Sequence, residues 1–172
     1  LAYRLGLCVV PVREDGSKAP DTDWKSYQSE RPSGEDMKRW FVERERSGLG
    51  YVCGKVSGGL EMLEFEASST IVAFKMRARE LDLLELVQRI ETGYAEETPG
   101  GGVHWVYRVD GDVMPNTKLA SMQCPGTPEC DKHVAGKPHV LIETRGEGGY
   151  FVAAPSHGAV HGLSFTKLPR RR

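Results

Sequence analysis

The chain has 172 residues, of which 39% are hydrophobic and 27% charged. This composition is typical of one folded α/β domain and excludes a disordered or fibrous protein. A formal net charge of -1 gives no general support for tight binding to duplex nucleic acid, so we expect any contact with nucleic acid to be local. The sequence contains no apolar run long enough to span a membrane, and we expect no secretory signal peptide.

The chain ends and the cysteines indicate the setting of the domain. The first residue is Leu1 rather than Met, so we expect the chain to be cut from a longer protein. Four cysteines without a regular framework indicate a reducing compartment, and Cys8 and Cys53 are predicted to be buried small hydrophobes. The basic run at residues 167–172 is interpreted as a linker rather than a site.

The first half of the chain predicts two strands separated by a short helix. The strands are residues 7–12 (LCVVPV) and 49–53, and an S-x-x-D helix start lies between them at residues 33–36. The loop at residues 13–22 holds Lys18, which could either reach an anionic ligand or stand in water.

A third predicted strand, residues 60–66 (LEMLEFE), carries the first candidate site. Side chains alternate along a strand, so Glu64 and Glu66 leave the same face while Leu63 and Phe65 turn into the core. Two carboxylates so placed repel each other unless a cation joins them, and Mg²⁺ or Mn²⁺ takes oxygen ligands. The alternative is a strand whose solvated face happens to carry acids.

The next segment predicts one long helix. Ser69 or Thr70 can cap it, its apolar stripe runs to about Arg89, and Gly93 ends it.

The clearest strand prediction is residues 103–109 (VHWVYRV), which follow the turn TPGGG. Strict alternation places His104 and Arg108 on the face opposite Trp105 and Tyr107. A histidine in this position is either a candidate functional group or a polar residue on an open sheet face.

Residues 110–138 are predicted to be irregular because they are rich in Pro and Gly, and a loop of this length commonly has a function. Cys124, Cys130, His133 and His139 provide the atoms for a tetrahedral zinc site, although the C-x5-C-x2-H-x5-H spacing is not that of a standard finger. The alternatives are a local disulfide and free surface thiols.

Two final strands, residues 140–145 and 150–154, are joined by GEGG and are interpreted as a hairpin. In the first of them, Glu143 and Arg145 share the face opposite Ile142.

Four segments in series resemble the bifunctional primase/polymerase (prim-pol) family of the archaeo-eukaryotic primase superfamily, found mostly in phage and plasmid replication proteins. They are GLCVVPV with GSKAP and Trp24, then VCGKVSGGLEMLEFE, TPGGGVHWVYR and IETRGEGGYFVAAPS. The resemblance implies a single-domain α/β (α+β) fold over residues 1–172, with an archaeo-eukaryotic primase-type catalytic core. Its RRM-like central sheet would hold metal and nucleotide on one face, with a candidate zinc-binding insertion at about residues 120–139.

The resemblance also implies roles for four residues. Glu64 and Glu66 correspond to the first acidic motif, His104 to the Ser-x-His type second motif, and Glu143 to the third acid. The three carboxylates would hold Mg²⁺ or Mn²⁺ for two-metal phosphoryl transfer, and His104 would hydrogen-bond the triphosphate. The chain departs from the family pattern in having Glu64 where Asp is usual and Gly102 where a small hydroxyl residue is common.

Three cationic residues are further candidates for binding the nucleotide. Arg145 and Lys18 could add fixed positive charge beside the triphosphate, and Arg108 shares the predicted strand face of His104.

The function that the resemblance implies is a template-directed nucleotidyltransferase, a DNA primase and DNA polymerase. Its partners would be a single-stranded DNA template, NTPs, dNTPs and a helicase domain or partner, without a membrane. We expect it in the cytoplasm or nucleoid of a host cell. The alternatives are a catalytically weakened nucleic-acid- or nucleotide-binding module, in which Glu64 has spoiled the metal site, and a metal-dependent nuclease.

Overall fold

The computed structural model describes residues 1–124 and 138–156, together with the backbone of residues 164–167. In chain order the strands of the described part are β1 (Cys8–Pro11), β2 (Leu49–Val52), β3 (Leu60–Phe65), β4 (Tyr94–Glu97), β5 (Val103–Arg108), β6 (Thr117–Met122), β7 (His139–Arg145), β8 (Tyr150–Ala153) and β9 (Ser164–Lys167). They form two antiparallel sheets. The small sheet has the order β1-β2-β8 and the large sheet the order β6-β7-β3-β5-β4-β9.

The helices of the described part are α1 (Gly34–Lys38), α2 (Ser69–Glu80) and α3 (Leu84–Glu91), with 3-10 turns at Ala2–Leu5, Ser26–Gln28 and Lys55–Ser57 and a π-helical turn at Arg39–Glu43. The helix start predicted at residues 33–36 is confirmed by a capping box between Ser33 and Asp36. Within the described ranges, no helix is both long enough and apolar enough to cross a membrane.

One face of the large sheet packs against α2 and α3. Phe65 and Trp105 are buried there with their ring centroids 4.6 Å apart. Ala78 of α2 and Val87 of α3 belong to the same core cluster. Burying a side chain such as Phe65 stabilises the fold by about 1.5 to 3 kcal/mol.

The other face of the large sheet packs against the small sheet. Met62 and Val106 from the large sheet share a cluster with Val9, Tyr51 and Phe151 from the small one. The predicted alternation in β3 is therefore confirmed. Its two faces serve two different cores, and the carboxylate of Glu64 lies on the face that the small sheet partly covers.

The prediction of one long helix to Arg89 is wrong, because the helix is interrupted between α2 and α3. Asp82 adopts a left-handed conformation with φ 58°, and the N–H of Leu83 donates to the carbonyl of Ala78 at 2.8 Å. This is the hydrogen bond of a Schellman ending. Asp tolerates the left-handed region better than most residues, so the helix ends without a glycine.

The predicted GEGG hairpin is also wrong. β8 pairs with β2 in the small sheet rather than with β7, and the N–H of Cys53 donates to the carbonyl of Gly149 at 2.8 Å. The turn therefore carries the chain from the large sheet to the small one.

Three strands were not predicted from the sequence: β4, β6 and β9. β6 lies within residues 110–138, which were expected to be irregular, and it forms an edge of the large sheet beside β7. Its exposed side chains give it little of the apolar alternation that identifies a strand.

Candidate active site

A cavity of about 540 Å³ lies between the two sheets, with β8 on one side and β3, β5 and β7 on the other. Six of the seven residues predicted to bind nucleotide or a Mg²⁺-type ion line it: Lys18, Glu64, Glu66, His104, Glu143 and Arg145. The remaining walls include Met62, Thr98 and Tyr150. The fold thus brings together residues that are up to 127 positions apart in sequence.

Four side chains form a row across neighbouring strands of the large sheet. Glu143 of β7 lies opposite Glu64 of β3, Glu64 lies opposite His104 of β5, and His104 lies opposite Glu96 of β4. Residues directly opposite in antiparallel strands project from the same face with their Cβ atoms about 4.5 to 5.5 Å apart. The strand register alone therefore concentrates these titratable groups.

Glu64 and His104 are an ion pair at the centre of this row. Nε2 of His104 lies 3.9 Å from Oε1 of Glu64. Burial lowers the pKa of His104, but the carboxylates of Glu64 and Glu96 outweigh it and raise this pKa to about 9. In turn, His104 lowers the pKa of Glu64 to about 2 against the opposing effect of burial. The pair is therefore charged at neutral pH.

Glu143 is held by Arg145, two residues further along the same strand. The two side chains form a charge-assisted hydrogen bond on the cavity wall. Burial raises the pKa of Glu143, Arg145 opposes the rise, and the nearby Glu64 carboxylate adds to it. Glu143 thus stands between a cation and a second carboxylate.

Glu66 and Lys18 reach the cavity from its margins. Glu66 follows the last residue of β3, where its N–H donates to the carbonyl of Leu141 at 3.0 Å. Lys18 is an exposed residue of the loop after β1, and its backbone carbonyl accepts a hydrogen bond from the hydroxyl of Tyr150. Both side chains contribute to the lining, so both remain candidates for contact with a phosphate or an ion.

Arg108 does not reach the cavity. Its guanidinium donates to the carbonyls of Ser57, Gly58 and Leu5, which ties the C-terminal end of β5 to the turn before β3. These three backbone acceptors take three of its five N–H groups, so the geometry gives no support to the nucleotide-binding role, which stays a prediction.

A family model of the bifunctional DNA primase/polymerase N-terminal domain matches residues 1–169. The chain belongs to this family. No curated protein matches the chain at a significant level.

Prim-pol proteins generally use divalent metal ions, and the donors of this chain fit such ions in kind. Glu64, Glu66 and Glu143 offer hard carboxylate oxygens to one cavity. In the described ranges, no three His, Cys, Asp or Glu side chains are already grouped as a metal site. His104 and Arg145 instead face two of the carboxylates. Binding an ion would require these carboxylates to exchange protein partners for it.

Glu96 is a further candidate site residue of this prim-pol domain, one that sequence reasoning missed. It is fully buried and lies within 3.2 Å of His104. β4 had not been predicted, so nothing marked Glu96 as facing inwards. The available signal was its place two residues after Tyr94, in a short run that alternates between polar and small side chains.

Two of the four candidate zinc ligands lie outside the described residues. Cys130 and His133 fall in the undescribed segment, so zinc binding stays a prediction. β6 and β7 place Met122 opposite His139, so Cys124 and His139 flank the two ends of this segment.

Proposed function

We propose that this domain is a template-directed nucleotidyltransferase that starts and extends DNA primers in the cavity between its two sheets. Membership of the prim-pol family implies DNA primase/polymerase activity. The observation that carries the assignment to this cavity is the row of Glu143, Glu64 and His104 on three adjacent strands.

The side chains of the cavity match the needs of nucleotide transfer. Divalent ions held by Glu64, Glu66 and Glu143 would neutralise charge on the reacting phosphates and favour the deprotonated 3′-hydroxyl. His104 would donate a hydrogen bond from Nε2, the ring nitrogen that faces Glu64, to the triphosphate. Arg145 adds fixed positive charge at the same wall of the cavity.

The size and the walls of the cavity also support a nucleotide as ligand. A volume of about 540 Å³ lies within the range of small-molecule sites. Tyr150, Phe151 and Val152 supply apolar surface on the β8 side, against which a base or sugar can pack while the phosphates face the charged row.

The central part of the large sheet supports an RRM-like interpretation. The four strands β7-β3-β5-β4 are antiparallel, and the helices cover one face. RRM domains also use a four-stranded sheet to contact nucleic acid. Because the net charge of the chain is only -1, we propose that a helicase domain or partner supplies part of the DNA affinity.

The experiment compares the wild type with His104→Ala on a single-stranded template. Labelled NTPs or dNTPs are supplied with Mg²⁺ or Mn²⁺, with and without an annealed primer. His104→Ala should raise the nucleotide KM and lower the rate, together by about 10- to 1000-fold, because a charge-assisted contact and some alignment are lost. Synthesis without a primer should suffer more than extension, since two nucleotides must then be held without a duplex. If Glu64 makes the geometry of the ion site less regular, synthesis should be faster with Mn²⁺ than with Mg²⁺.

Glu61→Gln is the matched control. Glu61 also lies on β3 and accepts a hydrogen bond from Tyr107, but it lies on the face opposite the cavity. The Glu61→Gln variant should therefore synthesise DNA at the wild-type rate. Template shortening without new strands would contradict the proposal and indicate a nuclease. Binding of dNTP without any product under either metal would contradict it and indicate a binding module.

A further inference from the structure

Glu96 is a fully buried acid next to the proposed nucleotide-binding histidine. Its Oε1 accepts hydrogen bonds from the hydroxyl of Tyr94 at 2.7 Å and from the N–H of Ala154 at 3.0 Å. Its Oε2 lies 3.2 Å from Nδ1 of His104. Each carboxylate oxygen therefore has its own partner.

We propose that Glu96 is a positioning residue, which holds the His104 ring through an Nδ1–H hydrogen bond and directs Nε2 into the cavity. The inference rests on the proposed role of His104 in binding the triphosphate. Glu96 itself touches neither nucleotide nor metal in this scheme, and acts through His104.

The energetic argument starts from the cost of burying a carboxylate. Burying such a group is unfavourable unless hydrogen bonds compensate for the lost hydration. The hydroxyl of Tyr94 and the N–H of Ala154 anchor one oxygen, which fixes where the other points. A carboxylate only accepts hydrogen bonds, so the nitrogen that faces it must carry the hydrogen.

Packing restricts the ring further. The aromatic ring of Phe151 meets the imidazole edge to face, with centroids 5.7 Å apart. On the far side of the ring, Nε2 faces Glu64. The imidazole is thus held on one side by Glu96 and Phe151 and exposes one nitrogen to the cavity, as a residue that recognises phosphate requires.

Glu96→Gln tests this scheme because it changes the direction of one hydrogen bond. Two donors, from Tyr94 and Ala154, keep the amide oxygen of Gln at the Oε1 position. The NH₂ group then faces Nδ1, which must accept, so the ring becomes the neutral tautomer with hydrogen on Nε2. Nε2 still donates into the cavity, but the ring is now held by a hydrogen bond from a neutral amide.

The direct readout is long-range ¹H–¹⁵N NMR of histidine-labelled chain without nucleotide or metal. The chain has five histidines, and the His104→Ala spectrum identifies the signals of His104. In the wild type we expect hydrogen on Nδ1, and in Glu96→Gln a bare Nδ1 with the downfield ¹⁵N shift of such a nitrogen. A bare Nδ1 in the wild type would overturn the proposal even if Glu96→Gln does not fold.

The kinetic readout is a double-mutant cycle. Glu96→Gln should raise the nucleotide KM by about five- to tenfold, with a smaller effect on kcat, because a neutral amide holds the ring less firmly than a carboxylate does. In the His104→Ala background the same change should alter KM by less than about twofold. Equal losses in both backgrounds would indicate a general structural role and overturn the proposal.

The two proposals fail separately. If the wild type incorporates no nucleotide while its NMR spectrum shows hydrogen on Nδ1, the positioning role stands and the proposed function falls. If the wild type is active but Glu96→Gln leaves both the ring signals and the KM unchanged, the positioning role falls alone. Glu61→Gln again serves as the control, since it alters a tyrosine-bonded glutamate on the opposite face of the sheet.

Discussion

Glu64 and Glu143 stand directly opposite each other on neighbouring antiparallel strands, although both are acids. Like charges in such a position repel and destabilise the pair. The structure balances them with two cationic side chains, His104 beside Glu64 and Arg145 beside Glu143. Two acids that need this compensation are suited to share a bound cation.

A divalent ion should therefore raise the melting temperature of the metal-free chain. At ten times its Kd, Mn²⁺ adds about 1.4 kcal/mol to the stability of the native state, which corresponds to a rise of about 3 to 6 °C for a domain of this size. Differential scanning fluorimetry after chelator treatment measures it. The rise should largely disappear in the double variant Glu64→Gln with Glu143→Gln. An equal rise in that variant would place the ion elsewhere.

Glu64 and Glu66 should act as one unit. Each is proposed to hold an ion that the other also needs, so Glu64→Ala or Glu66→Ala alone should remove most turnover. Together they should cost little more than either alone. Primer extension by the three variants measures the losses, and circular dichroism checks that they fold. Losses that multiply in the double variant would contradict a shared site.

Most residues of the candidate site could be predicted because period-two alternation fixes the face of a strand before its neighbours are known. In β3 and β5 the apolar residues Phe65 and Trp105 identified the face that packs in the core. Alternation then placed Glu64 and His104 on the opposite face of the sheet. Which strands would be adjacent was not deducible from periodicity. The order β7-β3-β5-β4, which aligns Glu143, Glu64, His104 and Glu96, is a long-range property.

The failed predictions share a cause, since local signals were weak or ambiguous there. The break at Asp82 occurs without Gly or Pro, in an apolar pattern that continues across it. The GEGG turn has the composition of a hairpin, yet β8 finds a better partner in β2. Glu96 resembles any acid of an exposed loop until β4 is placed against β5. Tertiary pairing decided each case.

The purified chain should carry about one zinc ion, bound through Cys124 and Cys130 with His133 and His139 as the remaining ligands. Their thiolate and imidazole groups suit zinc, and β6 and β7 hold Cys124 and His139 at the two ends of the segment that contains the other two. Elemental analysis of protein purified without chelator measures the content. A content clearly below one zinc per chain would contradict the prediction and indicate an ordinary insertion without a metal site.

Cys8 and Cys53 should resist alkylation in the native chain. Burial raises the pKa of Cys8 to about 11 and raises that of Cys53 as well. At pH 8 only about one Cys8 side chain in a thousand would be a thiolate, the reactive form, and this fraction would grow about tenfold per pH unit. Peptide mass spectrometry after iodoacetamide measures the labelling, with urea-unfolded chain as the control. Rapid native labelling of both would contradict their burial.

Gly102→Ser should destabilise the domain, although the resemblance to the prim-pol family implies a small hydroxyl residue at this position. A Cβ on Gly102 would lie 2.8 Å from the carbonyl oxygen of Phe65 and 2.9 Å from Oγ1 of Thr98. That hydroxyl accepts the N–H of Gly102 at 3.0 Å, so in this chain Thr98 already fills the space beside the turn.

We expect Gly102→Ser to lose about 1 to 3 kcal/mol, the usual cost of overpacking, and therefore about 2 to 4 °C of melting temperature for each kcal/mol. Removing the hydroxyl as well, with Thr98→Ala, should restore only part of the loss because the backbone carbonyl of Phe65 remains. Gly100→Ser is the matched control, since its Cβ would meet nothing closer than 4.0 Å, and its stability should stay within about 0.5 kcal/mol of the wild type. Thermal unfolding of the four chains measures the series. An equal melting temperature for Gly102→Ser and the wild type would contradict this account. The turn would then have room for a side chain, and the Thr98 hydroxyl would not occupy the place of a hydroxyl at position 102.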